Sequence, residues 1–382
     1  RPVDLAIHTG GAADNAQFNE LRWFLDLMDG KLLEPDSGAA GYEGVQAESP
    51  ASAYPGLLDD AQRAFMPEAI RYPWYTVLGN HDVLAQGSVV PSDGAKAIAV
   101  GQEKIIAVGE GAREEVCSDP ASLLAPGSSE SILSDPETVV EDVAQDRDRR
   151  LLSRKEWVEQ QFQTADTPGP AGHGLNADNR KTGTAYYAVD LGAVALVVLD
   201  TVNPGGFSSG SIDGAQFAWL EQELTARSSA YFDAADSPQT SGNPDRLIVV
   251  ASNHGLDTLN NPFPDPATNE ERFRGPQLEA LLHRFPNVII HLTGHRLEHR
   301  IKPRPHAEIG SRGYWEISTA SPLDYPMQGR LVDIADNGDG TISVFSTVYD
   351  TAASLNPGDS EDPTKGDGVN QVELASIARR VG

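Results

Sequence analysis

Three apolar, β-branched runs in this chain end alike, in a small or amide residue beside histidine. Residues 74–78 run into Gly79-Asn80-His81-Asp82, residues 246–251 into Ser252-Asn253-His254, and residues 287–293 into Gly294-His295. Runs of that length without polar alternation read as strands buried on both faces, which need helices or a second sheet to cover them. In open α/β sheets the C-terminal ends of such strands line up along one edge, where side chains converge on a ligand. The pattern therefore predicts an α/β protein whose chemistry sits at strand tips.

The remaining sequence extends that frame. Residues 3–9 read as another buried strand, closed by Gly10-Gly11. Asp14 is placed to cap a helix in which Phe18, Leu21, Leu25 and Met28 recur at helical spacing, with Gly30 as its stop. Further helices are expected over 153–165, after a cap at Asp213, over 276–285 and over 369–380, with a short one near 59–65. Residues 186–190 and 193–200 read as a strand pair about Leu191-Gly192, and 231–245 as a polar loop. Strands at 314–318, 331–334 and 341–348 follow one another without helices, which suggests a second sheet. Residues 83–150 are rich in Gly, Ser, Pro and acids; 95–108 is apolar but has no sustained period. The expectation is a single domain over 1–382, with two sheets, helices outside and a loop-rich insertion at about 83–150.

Charge and composition exclude several classes. A formal net charge of -27 opposes binding to nucleic acid or an anionic membrane, though a bound cation could reverse the field locally for a small phosphate ester. The longest apolar runs are far too short for a membrane span. The single cysteine, Cys117, cannot form an intrachain disulfide or a zinc-finger pattern. A start at Arg1 rather than Met is compatible with a processed, extracytoplasmic protein. Oligomeric state is not written in the sequence.

Asn oxygen and His nitrogen both serve as first-row metal ligands, and one ion needs several of them at a point. Asn80, His254 and His295 are the candidates on the three tips, with His81 and Asp82 beside the first. His173, in the GHGLNADN loop, is a candidate for the rim, against the plainer reading of a loop histidine. Two other motifs fail on context. Pro204-Gly205-Gly206 is followed by no Gly-Lys-Ser/Thr, so it is no phosphate-binding loop. Gly206–Gly210 spells GxSxG around Ser208, but the serine does not sit on a turn joining strand directly to helix.

With GNHD at 79–82, TGGAADN at 9–15, Asn253-His254 and Gly294-His295, the sequence resembles the calcineurin-like metallophosphoesterases over nearly its whole length. The segments 183–190, 199–206 and 315–334 resemble one bacterial branch of that superfamily. The resemblance implies a two-sheet α/β/β/α sandwich and a two-metal site that hydrolyses a small phosphate ester. It implies that Asn80, His254 and His295 hold one metal, that His81 faces the substrate as proton donor, and that Asp82 orients His81.

The departures fall on the chemistry. The family places a metal-bridging Asp where this chain has Gly11, and a second His two residues past His295 where it has Leu297. No Asp-x-His motif occurs in the opening residues. What remains is three neutral ligands without a carboxylate, so one divalent ion (Mn, Fe, Zn or similar) at most is expected. Asp14 is near enough in sequence to support the site, and His299 lies four rather than two residues past His295. Three readings stay open: a metal-dependent phosphoric-ester hydrolase, a degenerate homologue that binds or assembles, and an altered copy or fragment of an active enzyme.

Overall fold

The computed structural model describes residues 2–41, 61–111, 113, 135–164, 167–309, 312–325 and 327–351. The helix expected at 369–380 and the start of that near 59–65 lie outside the described residues.

A six-stranded mixed sheet organises the fold. Its order is β11 (Arg300–Pro305), β12 (Gly313–Ser318), β10 (Val288–Thr293), β9 (Leu247–Ser252), β6 (Val194–Val198) and β5 (Tyr187–Leu191). The four inner strands run parallel and the two edges antiparallel. The inner strands therefore deliver residues 199–201, 253–254, 294–295 and 319–320 to one edge, as the apolar runs require.

Those runs lack alternation because both faces are covered. Leu196, Val198, Val249, Ala251 and Ile290 join one buried cluster, while Val197, Leu199, Ile248, Val250 and Val288 join another. The second cluster is closed by helices α5 (Gly214–Ala226) and α6 (Gly275–Leu282), through Leu220, Leu224, Leu278 and Leu281. The first is closed by α1 (Phe18–Asp29) and the parallel pair β1 (Ala6–His8) and β2 (Trp74–Thr76). Val332, Ile334 and Val344 of the antiparallel hairpin β13 (Gln328–Asp336) and β14 (Ile342–Asp350) pack on the same cluster. Among the described residues the β1–β2 and β13–β14 pairs are separate two-stranded sheets, not one continuous second sheet.

Several local expectations are corrected. Helix α1 starts at Phe18 with Gln17 as N-cap, so Asp14 is not the cap. The Glu20 carboxylate reaches back instead, accepting from the backbone N–H groups of Asp14, Asn15 and Gln17 at 3.1, 2.8 and 3.2 Å. Asp213 does cap α5, accepting from the Gln216 N–H at 2.7 Å. Inside 83–150 the chain forms α2 (Asp93–Val100), capped by Ser92, and the hairpin β3 (Glu103–Ala107) and β4 (Val139–Asp142). These elements bury little, which is why no apolar period announced them. Helix α3 (Arg154–Gln160) opens on a Ser153–Glu156 capping box and ends short of residue 165. The 173–182 stretch includes α4 (Ala177–Thr182), capped by Asn176. A short pair, β7 (Ala230–Phe232) and β8 (Pro238–Thr240), sits in the expected polar loop. Edge strand β11 was hidden by Pro303 and Pro305, residues a strand tolerates only at an edge.

Candidate strand-tip site

The two strand systems meet tip to tip, and glycines make the approach possible. Gly10 has φ +97°, and a Cβ there would lie 2.7 Å from Asn253 Nδ2 and 2.8 Å from Gly79 Cα. A Cβ on Gly294 would lie 2.7 Å from Thr9 Oγ1. Asn253 Nδ2 donates to the Thr9 carbonyl at 2.8 Å, tying β9 to the turn after β1. Sequence separation across this junction is 244 residues, so only the tertiary fold creates it.

Asn80, His81 and Asp82 form a single 3-10 turn after β2. Asn80 is 2% exposed. Its amide donates to the Gly87 carbonyl at 2.7 Å, which turns Oδ1 toward His295, whose Nδ1 lies 3.2 Å away. A carboxamide oxygen only accepts, so His295 carries its proton on Nδ1 and keeps a lone pair on Nε2. The His295 and His254 rings are 4.4 Å apart between centroids. The structure thus places Asn80 and His254 each against His295.

Asp82 makes contacts different from those the resemblance implies. The Asp82 carboxylate is fully buried and accepts from the backbone N–H groups of Gly11, Ala13 and Gly79 at 3.1, 2.9 and 2.8 Å. It therefore clamps the turn after β1 onto the GNHD turn and does not orient His81. Burial outweighs those hydrogen bonds and pushes its carboxyl up to about 6. Asp14 takes the orienting position: its carbonyl oxygen and Oδ1 stand 2.9 and 3.0 Å from His81 Nδ1. Both are acceptors, so His81 Nδ1 bears the proton and Nε2 is left for a ligand. The His81 side chain is 40% exposed, in contrast to the buried His254.

His254 is the opposite case. It is fully buried, with Nδ1 2.8 Å from Thr201 Oγ1 and Nε2 2.9 Å from the Ser208 carbonyl oxygen. Burial, reinforced by the adjacent His295 ring, lowers its pKa to about 3. His295 is lowered to about 4 by burial, then by His81 and Arg296. Thr201 was not singled out from sequence, and Ser208 only as the serine of the rejected GxSxG match. The only signal for Thr201 was its place directly after a buried strand.

His173 does not line a rim. It is buried and stacks on Trp74 at 3.6 Å between ring centroids. Its Nε2 meets Thr164 Oγ1 at 2.9 Å, and its carbonyl accepts from the Thr76 N–H and the Tyr187 hydroxyl, both at 3.1 Å. A positive φ of +52° turns it inward, a feature sequence does not announce. His299 Nδ1 accepts from the Ala320 N–H at 3.4 Å, and Leu297 is 49% exposed. At Gly11, a Cβ would meet nothing within 4 Å.

The donor set does not fit a divalent cation. Asn80 Oδ1 and both His254 nitrogens already have protein partners, and only neutral groups converge. Among the described residues no three His, Cys, Asp or Glu side chains group in a way that could hold a metal. Asn253 Oδ1 is a buried acceptor without a partner at the same junction, but one neutral oxygen is not a metal site.

No family model matches the chain, and no curated protein matches it. Among solved structures it is similar to a dimetal phosphatase from Danio rerio, at 10% identity and a TM-score of 0.26, over 52% of this chain and 68% of that one. A likeness that low carries no argument about site or activity. Among the described residues no helix is long and apolar enough to cross a membrane.

Proposed function

We propose that this chain is a calcineurin-like metallophosphoesterase relative, a two-sheet α/β/β/α sandwich over residues 1–382, whose strand-tip site takes a small phosphate ester. The observation that carries the reading is the His81–Asp14 pair: an open imidazole at a strand tip, held through Nδ1 by a carboxylate, with Nε2 left for a ligand. Protonated on both nitrogens, His81 donates to a phosphoryl or leaving-group oxygen while Asp14 fixes the ring and stabilises its positive charge. The remaining features support the geometry. Asp82 holds the turn that carries Asp14, and Asn80 holds His295 beside it. The reading assigns no step to a divalent cation, because the donors do not fit one.

A second reading, a homologue that binds phosphate esters without hydrolysing them, is favoured by the engaged nitrogens of His254 and by Gly11 and Leu297. Hydrolysis of 4-nitrophenyl phosphate, with and without Mn²⁺, separates the two. Turnover that falls about 100-fold or more in His81→Ala supports the first. Saturable binding of the ester without turnover, lost in His81→Ala, supports the second. Neither binding nor turnover overturns both.

A further inference from the structure

We infer that His254 is a hydrogen-bonded tie between strand β9 and the 201–211 loop, in a fixed neutral tautomer, and not a metal ligand. The proton count closes on the observed partners. A backbone carbonyl only accepts, so the Ser208 contact puts the ring proton on Nε2. Nδ1 is then an acceptor, and the Thr201 hydroxyl donates to it at 2.8 Å. The same Thr201 oxygen accepts from the His254 backbone N–H at 3.2 Å. Every polar atom of the histidine ring and of the threonine hydroxyl proton is thereby matched in a fully buried place, where an unmatched one would be costly.

The loop that caps Nε2 is itself anchored, so the carbonyl cannot simply turn aside for a cation. Asn261 Nδ2 donates to the Gly206 and Ser209 carbonyls at 2.9 and 3.1 Å, on both sides of Ser208. The Gly210 N–H donates to the Thr258 carbonyl at 2.9 Å, and the Ser211 N–H to the Thr201 carbonyl at 3.0 Å. Gly210 lies against the imidazole: a Cβ there would be 2.6 Å from His254 Cγ and Nδ1. Freeing Nε2 would require moving a segment held at both ends. This inference does not depend on the phosphate-ester reading, since the tie would stand in a protein that never met such a ligand.

Histidine-selective ¹⁵N NMR of the full chain, with the His254 signals assigned by His254→Gln, tests it alongside metal analysis after dialysis against Zn²⁺. The expected result is a protonated Nε2 and unprotonated Nδ1 in His254 that Zn²⁺ does not shift, with no stoichiometric zinc retained. Thr201→Val should lower Tm by about 3 °C or more, while Thr201→Ser, which keeps the hydroxyl, should restore most of it. The inference is overturned if one equivalent of Zn²⁺ binds, moves the His254 resonances and raises Tm in the wild type but not in His254→Gln. It is equally overturned if His254 carries its proton on Nδ1. Loss of Zn²⁺-independent phosphate-ester binding in His81→Ala, by contrast, bears only on the proposed function.

Discussion

His81 and His254 both lie in the turn that follows a buried strand, and are chemically opposite. His81 stands partly in solvent with one nitrogen on Asp14 and the other open. His254 is sealed, with both nitrogens engaged by Thr201 and Ser208. Residue type and strand position are shared, so availability for chemistry is decided by what folds over the tip. Against His81 only the bare backbone of Gly87 packs, where a Cβ would lie 2.4 Å from Nε2, and the ring stays 40% exposed; over His254 the 201–211 loop closes.

The sharpest break in that comparison is the cost of deletion. His254→Ala should lose about 3 kcal/mol of stability, from the cavity and the stranded Ser208 and Thr201 groups, while His81→Ala should stay within about 0.5 kcal/mol. Urea unfolding of the two variants side by side measures this, and equal losses would dissolve the contrast. Next in size are the glycines that let the two strand systems meet. Gly10→Ala drives a Cβ into Asn253 and Gly79 and should cost about 2 kcal/mol or more, whereas Gly11→Ala meets open space and should cost about 1 kcal/mol, from its positive φ alone. Thermal melts of both report the difference.

Asp82→Asn should cost about 1–2 kcal/mol near pH 4, because an amide cannot accept all three backbone N–H groups as the carboxyl does. The pH dependence has a definite sign. The folded carboxyl titrates at about 6, above its unfolded value, so its stabilising share is fully present below about pH 4 and lost as pH rises through 6. The penalty of Asp82→Asn should therefore shrink across that window, read from unfolding curves at pH 4, 5, 6 and 7; a penalty that grows with pH would reverse the assignment. The smallest expected effect is that of Asp14→Asn. It should change stability by less than about 0.5 kcal/mol at this exposed site yet shift the His81 ring ¹⁵N signals, and silence there would detach Asp14 from His81.

Much of the fold was legible because burial on both faces leaves a mark in sequence. The unbroken apolar runs at 194–198, 247–252 and 288–293 are three of the four inner strands, and Asp213 and Gly30 bound helices α5 and α1 as such residues should. Elements with little burial left no such mark: α2, the β3–β4 hairpin and the proline-bearing edge β11. The site divided along the same line. That Asn80, His81, His254 and His295 follow buried strands was read from the local pattern; the meeting of the β1–β2 pair with the six-stranded sheet sets Asn80 and His254 against His295.

Hydrogen-bond partners did not follow. Asp82 was expected at His81 and instead clamps Gly11 and Ala13; Asp14, read both as a helix cap and as a support for the site, caps no helix and lies against His81. Sequence by itself determined the strand–helix order, the buried runs and which side chains reach the edge, because those depend on periodicity and on glycine. Only the tertiary structure decided which histidine is open and which is closed, because each partner comes from a loop 46 to 67 residues away whose path no local pattern encodes.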